Sequence, residues 1–236
     1  MGRAVLWIAI SLFFCWCALR ELCRSLIVPR GYSRTQPLSA PYLAVVLSLA
    51  ALFAWPPLHT WHFERFLSQK ATQLADGRRA RVHCNTVWDT MLDTQMLAAG
   101  HAVIASGEIG LQHPWCATLR AYLRHPARAS ADELWSLAMF THESMHVRGE
   151  ANETRTECQA VQRNLRAARL LGVPEAVARR NALDYFNTLY QERGAIGGLQ
   201  AAYYSRECAP GAALDEHLPD STWAGLPRAP ADAPTP

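Results

Sequence analysis

Two long stretches without charged residues lie near the start of the chain, and they restrict its possible folds more than any other feature. Residues 4–19 carry no charge, and the apolar core of residues 42–58 carries none either. A helix needs about 20 mainly apolar residues to cross a bilayer, and apolar neighbours extend both stretches towards that length. Tyr42 and Trp55 stand at positions typical of interfacial anchors. We therefore expect residues 1–59 to form a transmembrane hairpin in contact with membrane lipid.

A cleaved signal peptide followed by a core helix is the alternative interpretation of these two stretches. The end of the first stretch has no small-x-small cleavage pattern and is crowded by Trp16 and Arg20, which favours the membrane hairpin. The connector between the stretches is basic and should lie in the cytoplasm by the positive-inside tendency. Its arginines are Arg20, Arg24, Arg30 and Arg34. Arginines also follow the second stretch and oppose this orientation.

The seven cysteines form two groups. Three lie in or beside the first apolar stretch, and four lie in the rest of the chain without any CxxC spacing. Those four are Cys84, Cys116, Cys158 and Cys208. Two disulfides would account for them, with three pairings open, and buried free thiols in a cytosolic domain are the alternative. Because disulfides form outside the cytoplasm, we predict a multi-pass protein of the cell membrane with an extracytoplasmic soluble domain.

The remainder of the chain reads as a soluble α+β domain that is mostly helical. We expect a helical stalk over residues 60–79, a compact domain over 80–208 and a flexible Pro/Ala-rich tail over 209–236. Short apolar runs predict a small sheet ahead of the central helix. These runs are residues 81–84, 101–105 and 108–112. The net charge is only +3 and the arginines are scattered, so nucleic acid is not an expected partner.

The central helix begins and ends with recognisable residues. Ser130 and Glu133 fit a capping box, and Gly149 is a good residue to end the helix. Asn152 can cap a following helix that closes at Gly172.

An HExxH motif lies on the central helix. His142 and His146 are four residues apart, so their imidazoles share one face and can reach one metal ion. Glu143 stands beside them and can serve as general base for a water that the metal activates. A chance occurrence of the motif is the alternative, and the capped helix around it favours a real site.

A third protein ligand is required by a catalytic zinc site. Glu153 and Glu157 share a face of the next helix, which can fold back after Gly149 and direct both carboxylates at the histidines. We expect one to bind the metal and the other to hold a ligand histidine, with Glu153 favoured as ligand. A solvated acidic face paired with nearby arginines is the alternative.

His142-Glu143-x-x-His146 followed by Glu153-x-x-x-Glu157 resembles the gluzincin branch of the zincin metallopeptidases. The resemblance covers about residues 100–172 and implies a zinc ion, a catalytic Glu143 and the ligands His142, His146 and Glu153. Glu153 follows the second histidine more closely than in typical gluzincins. The chain also resembles uncharacterised bacterial membrane-anchored proteins that carry HExxH.

We therefore predict a membrane-anchored zinc peptidase acting on a peptide or protein, whose substrate pairs with strand 108–112. A tyrosine or histidine is expected to stabilise the oxyanion. The candidates are Tyr185, Tyr190, Tyr203, Tyr204 and His217. The alternatives are a non-catalytic domain with structural zinc or none, and a zinc hydrolase of cell-envelope material.

Overall fold

The computed structural model describes residues 2–27, 37–196, 202–224 and 226. The chain falls into two compact units, Met1–Phe63 and Glu64–Pro236. The domain boundaries expected from the sequence stay predictions.

The first unit is a pair of antiparallel helices. Helix α1 covers Gly2–Leu26, and helix α2 covers Ala40–Leu74. The Ser11 hydroxyl donates to the carbonyl of Ala50 at 2.9 Å, deep in the pair. Both helices are long and apolar enough to cross a membrane, as the sequence predicts. Arg30 and Arg34, on which the predicted orientation partly depends, lie outside the described residues.

Helix α2 does not end with the second apolar stretch at Leu58. It continues through Pro56 and Pro57 into the residues expected to form a separate stalk. Proline removes a backbone donor, but helices of membrane proteins tolerate it when neighbouring groups satisfy the freed carbonyls. The expected hairpin helix and stalk are therefore parts of one helix.

The second unit begins with the last turns of α2, from Glu64, and continues into a three-stranded sheet. Its strands are β1 (Arg81–Cys84), β2 (Gly100–Val103) and β3 (Glu108–Leu111). Strands β2 and β3 pair in an antiparallel hairpin, and β1 pairs with β3 in parallel. The sheet order is β1-β3-β2, so β3 is the central strand. The prediction that strand 108–112 offers a free edge to substrate is therefore wrong, because both of its edges are already paired.

Helices make up most of the second unit, which confirms the predicted fold class. The helices after α2 are α3 (Val87–Leu92), α4 (Trp115–Arg124), α5 (Ala131–Arg148), α6 (Glu153–Leu170), α7 (Glu175–Tyr185) and α8 (Gln191–Ile196). A short 3-10 turn, Pro126–Arg128, follows α4, and a π-helical segment, Phe186–Tyr190, joins α7 to α8. Helix α3 was not expected from the sequence.

Helix α5 is the centre of this unit. Its capping box is present as predicted: the Ser130 hydroxyl accepts from the Glu133 amide, and the Glu133 carboxylate accepts from the Ser130 amide at 2.7 Å. Nearly all of its middle is buried, between α4, α6, α7 and the sheet. Polar side chains buried on such a helix need internal partners, because an unpaired buried polar group costs about 1–3 kcal/mol.

The C-terminal segment differs from the flexible tail expected from residue 209. Residues 209–224 run along α6 in a series of turns, and Thr222 and Trp223 are buried. The Gln162 side chain bridges to this segment, accepting from the Glu216 amide and donating to the Leu214 carbonyl. Composition predicted disorder here, but these bonds and the buried tryptophan order the segment as far as residue 224. Residues 227–236 lie outside the described part of the chain.

The four cysteines of the second unit form two disulfides. Cys84 pairs with Cys116, and Cys158 pairs with Cys208. This resolves the three pairings that the sequence left open. The first bond joins β1 to α4, and the second joins α6 to the C-terminal segment.

Candidate metal centre

The turn between α5 and α6 positions the candidate ligands. Helix α5 ends at Gly149, whose φ of 121° lies in a region that residues with a Cβ rarely adopt. The Asn152 side chain then accepts from the Arg155 amide and starts α6. Because the chain reverses within these few residues, the first turn of α6 faces the last turns of α5.

This reversal brings three ligand atoms together. Nε2 of His142 lies 3.1 Å from Nε2 of His146 and 3.1 Å from Oε2 of Glu153. Nε2 of His146 lies 3.4 Å from the same carboxylate oxygen. Ligand atoms about 2.0–2.1 Å from a tetrahedral zinc ion lie about 3.3 Å from one another. The three distances are compatible with ligation of one metal ion, and the group can hold such an ion.

The outer nitrogens of both histidines are held by acceptors. Nδ1 of His146 lies 2.8 Å from the backbone carbonyl of Glu150, which can only accept, so this nitrogen carries the hydrogen. Nδ1 of His142 lies 2.8 Å from Oε2 of Glu157. With Nδ1 donating on each ring, the Nε2 atoms are the ones left to face the shared position and to bind a metal there.

Glu157 is itself surrounded by donors. Its Oε1 accepts from the Tyr185 hydroxyl at 2.8 Å and from the Arg193 guanidinium at 2.9 Å. Burial raises the pKa of Glu157, but the Arg193 charge and the hydrogen bond from His142 outweigh it and lower the pKa. Glu157 therefore stays ionised and fixes the His142 ring, while Glu153 faces the Nε2 atoms. Geometry thus separates the two acidic residues: Glu153 lies at the Nε2 atoms, and Glu157 lies at Nδ1 of His142.

The charge of the group favours a cation. Hydrogen bonds from His142 and His146 lower the pKa of Glu153 to about 2. Burial lowers the pKa of His142, but hydrogen bonds to Glu153 and Glu157 raise it to about 10. The negative charge of Glu153 and Glu157 thus favours the protonated form of the imidazoles. A metal cation bound between the Nε2 atoms would balance this negative charge in place of the protons.

Glu143 occupies a different environment from the other carboxylates. Its side chain is 5% exposed, and its Oε2 atom has no hydrogen-bond partner among the described residues. Burial raises its pKa to about 7, against the opposing effect of His142 and His146. A buried carboxylate with a free oxygen and a pKa near neutrality is suited to take up and release a proton.

A cavity of about 530 Å³ opens beside these residues. Its walls include the metal group, Glu143, strand β2 and the loop before that strand. Gly100 of β2 lies so close that a Cβ there would stand 3.2 Å from Glu143 Oε1 and 3.2 Å from Met139 Sδ. A glycine at this position allows the edge strand to approach the buried carboxylate.

Tyr203 and Arg193 complete the wall, and only Tyr203 was among the residues considered from the sequence. The Tyr203 ring centroid lies 5.8 Å from that of His142. The Arg193 guanidinium stacks 4.1 Å from the centre of the Trp135 ring. Both residues follow the motif by dozens of positions, so no local spacing could have placed them here.

The other predicted oxyanion candidates lie elsewhere. Tyr185 is buried behind the site on Glu157, and the Tyr190 hydroxyl accepts from the Ser205 amide. Tyr204 donates to Gln191, and His217 pairs with Asp215 near the surface. Tyr203 is therefore the candidate that lines the cavity.

Comparison of the chain with protein-family models, curated proteins and solved structures gives no significant match.

Proposed function

We propose that this protein is a membrane-anchored, zinc-dependent peptidase of the zincin type. The observation that carries the proposal is the meeting of three ligand atoms, at distances compatible with ligation of one metal ion, beside a buried carboxylate with a free oxygen. Those ligands are His142, His146 and Glu153, and the carboxylate is Glu143.

Zinc fits the donor set, since two imidazoles and one carboxylate form a known catalytic combination. When bound, the ion supplies Lewis acidity that activates a water and polarises the substrate carbonyl. Among the described residues the group has three ligands and opens into a cavity, whereas structural zinc sites are closed by four protein ligands. This favours the catalytic role over a structural one.

Glu143 is the proposed general base. Its carboxylate is buried and has one oxygen free of hydrogen bonds among the described residues, so it can take a proton from the attacking water and later give it to the leaving amine. The Tyr203 hydroxyl is the proposed donor to the oxyanion, because this ring shares the cavity with His142. Glu157 keeps His142 in the required tautomer throughout.

Peptide substrates are supported by strand β2. This strand forms one edge of the sheet, and its first residues line the cavity. The Gln112 amide donates to the Ala99 carbonyl, which makes Ala99 a residue whose backbone bonds to the neighbouring strand. Such residues alternate along an antiparallel strand, so the backbone N–H and C=O groups of Gly100 and Ala102 point away from β3. An extended peptide can add to that edge and pass in front of Glu143, with recognition through main-chain hydrogen bonds.

The two disulfides and the apolar helices support an extracytoplasmic location for the second unit. Disulfides persist in oxidising surroundings, so we place the second unit outside the cytoplasm. The helices α1 and α2 then anchor the enzyme as a two-span membrane protein.

The test is hydrolysis of a labelled unfolded protein by the full chain, loaded with zinc in detergent. We expect cleavage by the wild type and a loss of about 10²–10⁴-fold in Glu143→Gln, at unchanged zinc content. Glu175→Gln, at an exposed position on α7, is the control and should keep full activity.

Cleavage that persists in Glu143→Gln would contradict the proposed role of this residue. The zinc-loaded wild type could also leave unfolded protein intact and hydrolyse cell-envelope polymers. That result would contradict the peptidase assignment and favour a zinc hydrolase that acts on another bond with the same residues.

A further inference from the structure

The second unit carries an apolar face that reaches the cavity of the proposed peptidase only at Leu97. We name it the 87–97 face. Its residues are Val87, Trp88, Met91, Leu92, Met96 and Leu97, and all are exposed. Within the described part of the second unit, only Val103 and Leu226 are other large apolar side chains with comparable exposure. Concentrating so much apolar surface in eleven residues is typical of an interaction site.

An ordinary surface helix turns its apolar side chains towards the core, and helix α3 does the opposite. Its apolar side chains point outward, and none of its residues is buried. The Asp93 carboxylate, just after the helix, accepts from the Gln112 side chain at 2.8 Å, and the Thr90 hydroxyl accepts from the His113 amide at 2.9 Å. Thr86 and Asp89 add a complete capping box. Polar bonds therefore fix the inner side of this segment and keep its apolar side towards the surroundings.

The shape of the face indicates what covers it. Leu92 is 84% exposed and Leu97 is 95% exposed, so both side chains project from the surface, with Leu97 at the rim of the cavity. Grooves are typical of sites that receive a peptide helix or strand, whereas projecting apolar and tryptophan side chains enter a bilayer interface. Trp88 has the amphipathic ring that favours the headgroup level.

The chain itself places a bilayer within reach. Strand β1 runs back along α2, because the Val82 amide donates to the Ser68 hydroxyl and the Cys84 amide donates to the Glu64 carboxylate. Helix α3 begins three residues after Cys84, and Glu64 lies six residues after the apolar residues 42–58 of α2, one of the two helices apolar enough to cross a membrane. Residues 82–119 contain no lysine or arginine. The face itself therefore offers no cation to anionic headgroups, and insertion of its apolar side chains has to supply its own part of the binding.

We propose that the 87–97 face docks onto the lipid bilayer that anchors the chain, with Trp88, Leu92 and Leu97 inserted at the interface. The face continues to the cavity, because Leu97 and Ala98 line the cavity rim. Docking would hold that rim at the membrane surface. This inference rests on α2 being a membrane span and is independent of the proposed peptidase activity.

The test uses the full chain in lipid nanodiscs and one fluorescent label. The free cysteines Cys15, Cys17 and Cys23 are replaced by alanine, and NBD is attached at Leu92→Cys. Ala176→Cys, at an exposed position on α7, provides the matched control. Nitroxide lipids of two depths report where each label lies.

We expect the label at position 92 to lie about 5–10 Å inside the headgroup–acyl boundary, with blue-shifted emission, and the label at 176 to remain in water. Quenching should be the same in zwitterionic and anionic lipid and at low and high salt. Equal, weak quenching at both positions would overturn the proposal. An emission shift at 92 that appears only when unfolded protein is added would assign the face to a polypeptide instead.

A second label separates docking by the whole face from an effect of the dye. NBD attached at Met96→Cys should be quenched by the nitroxide lipids when the rest of the face is wild type. In the double variant Leu92→Asp/Leu97→Asp, the same label should move into water and lose this quenching. Both positions are too exposed for these changes to disturb the core. His146→Ala should leave quenching unchanged, so failure of the metal site and failure of docking give different results.

Discussion

At the scale of single residues, one turn of helix separates two carboxylates with different tasks. Glu153 is half-exposed and faces both Nε2 atoms, whereas Glu157 is buried and bonded to Nδ1 of His142, Tyr185 and Arg193. The sequence predicted that both would face the histidines, because residues four apart share a helix face. It favoured Glu153 as the ligand, but the positions of the two carboxylates depend on how α6 is rotated against α5, which the sequence does not give.

Replacing each carboxylate by its amide should separate these tasks. Glu157→Gln is expected to weaken zinc binding by about 10–100-fold, the usual cost of losing the group that orients a ligand histidine. Glu153→Gln removes a charged ligand and should weaken zinc binding more than Glu157→Gln does. Competition with a chelator of known affinity measures both variants against Glu175→Gln. A larger loss in Glu157→Gln would reverse the assignment of the third ligand.

At the scale of elements, the turn at Gly149 determines whether α6 faces α5. The caps of both helices were readable from Ser130, Gly149 and Asn152, because capping chemistry is local. Strand order was not readable, since pairing between β1 and β3 joins residues far apart in sequence. Helix α3 was missed for a related reason: its apolar residues point outward, so it lacks the pattern of a helix that faces a core.

Gly149→Ala tests the turn. At a φ of 121°, a residue with a Cβ is strained, and we expect the free energy of unfolding to fall by about 1–3 kcal/mol. Gly172, with a φ of 94°, closes the other end of α6, and a methyl group added to it would meet no atom within 4 Å. Gly172→Ala should therefore cost stability similarly but leave zinc affinity unchanged, whereas Gly149→Ala should lower both. Denaturant unfolding and zinc titration measure the two effects, and equal zinc affinity in both variants would contradict this role.

At the scale of the whole molecule, the C-terminal segment is held to α6 by charge as well as by the Cys158–Cys208 bond. Arg166 pairs with Asp220, donating from Nε at 2.7 Å, and Arg163 is buried beneath Glu216. Composition predicted a flexible tail, because proline and alanine dominate these residues. The residues of α6 that bind the segment lie about fifty positions earlier in the chain, so no local pattern pointed to the pairing. Long-range ion pairs of this kind are invisible to local pattern.

The Asp220 pair should make stability depend on pH. The hydrogen bond from Arg166 lowers the pKa of Asp220 below its usual 3.8, so the folded state binds the proton less readily than the unfolded chain. The stabilisation is therefore fully present above the unfolded pKa and is lost as the pH falls through the folded value. We expect the difference in Tm between wild type and Asp220→Asn to be largest near pH 6 to 7 and to shrink below about pH 4. Near-ultraviolet circular dichroism follows the melting, and a difference that grows on acidification would contradict the pair's contribution.

The central claim is that His142, His146 and Glu153 bind one catalytic zinc ion, and elemental analysis of the purified full chain tests it most directly. We predict about one zinc ion per chain in the wild type and in Glu143→Gln, and a marked loss in His146→Ala. That pattern would separate the ligands from the general base. A wild type that binds no zinc, even after reconstitution with the ion, would contradict the account and leave the three side chains as an ordinary buried ion-pair cluster.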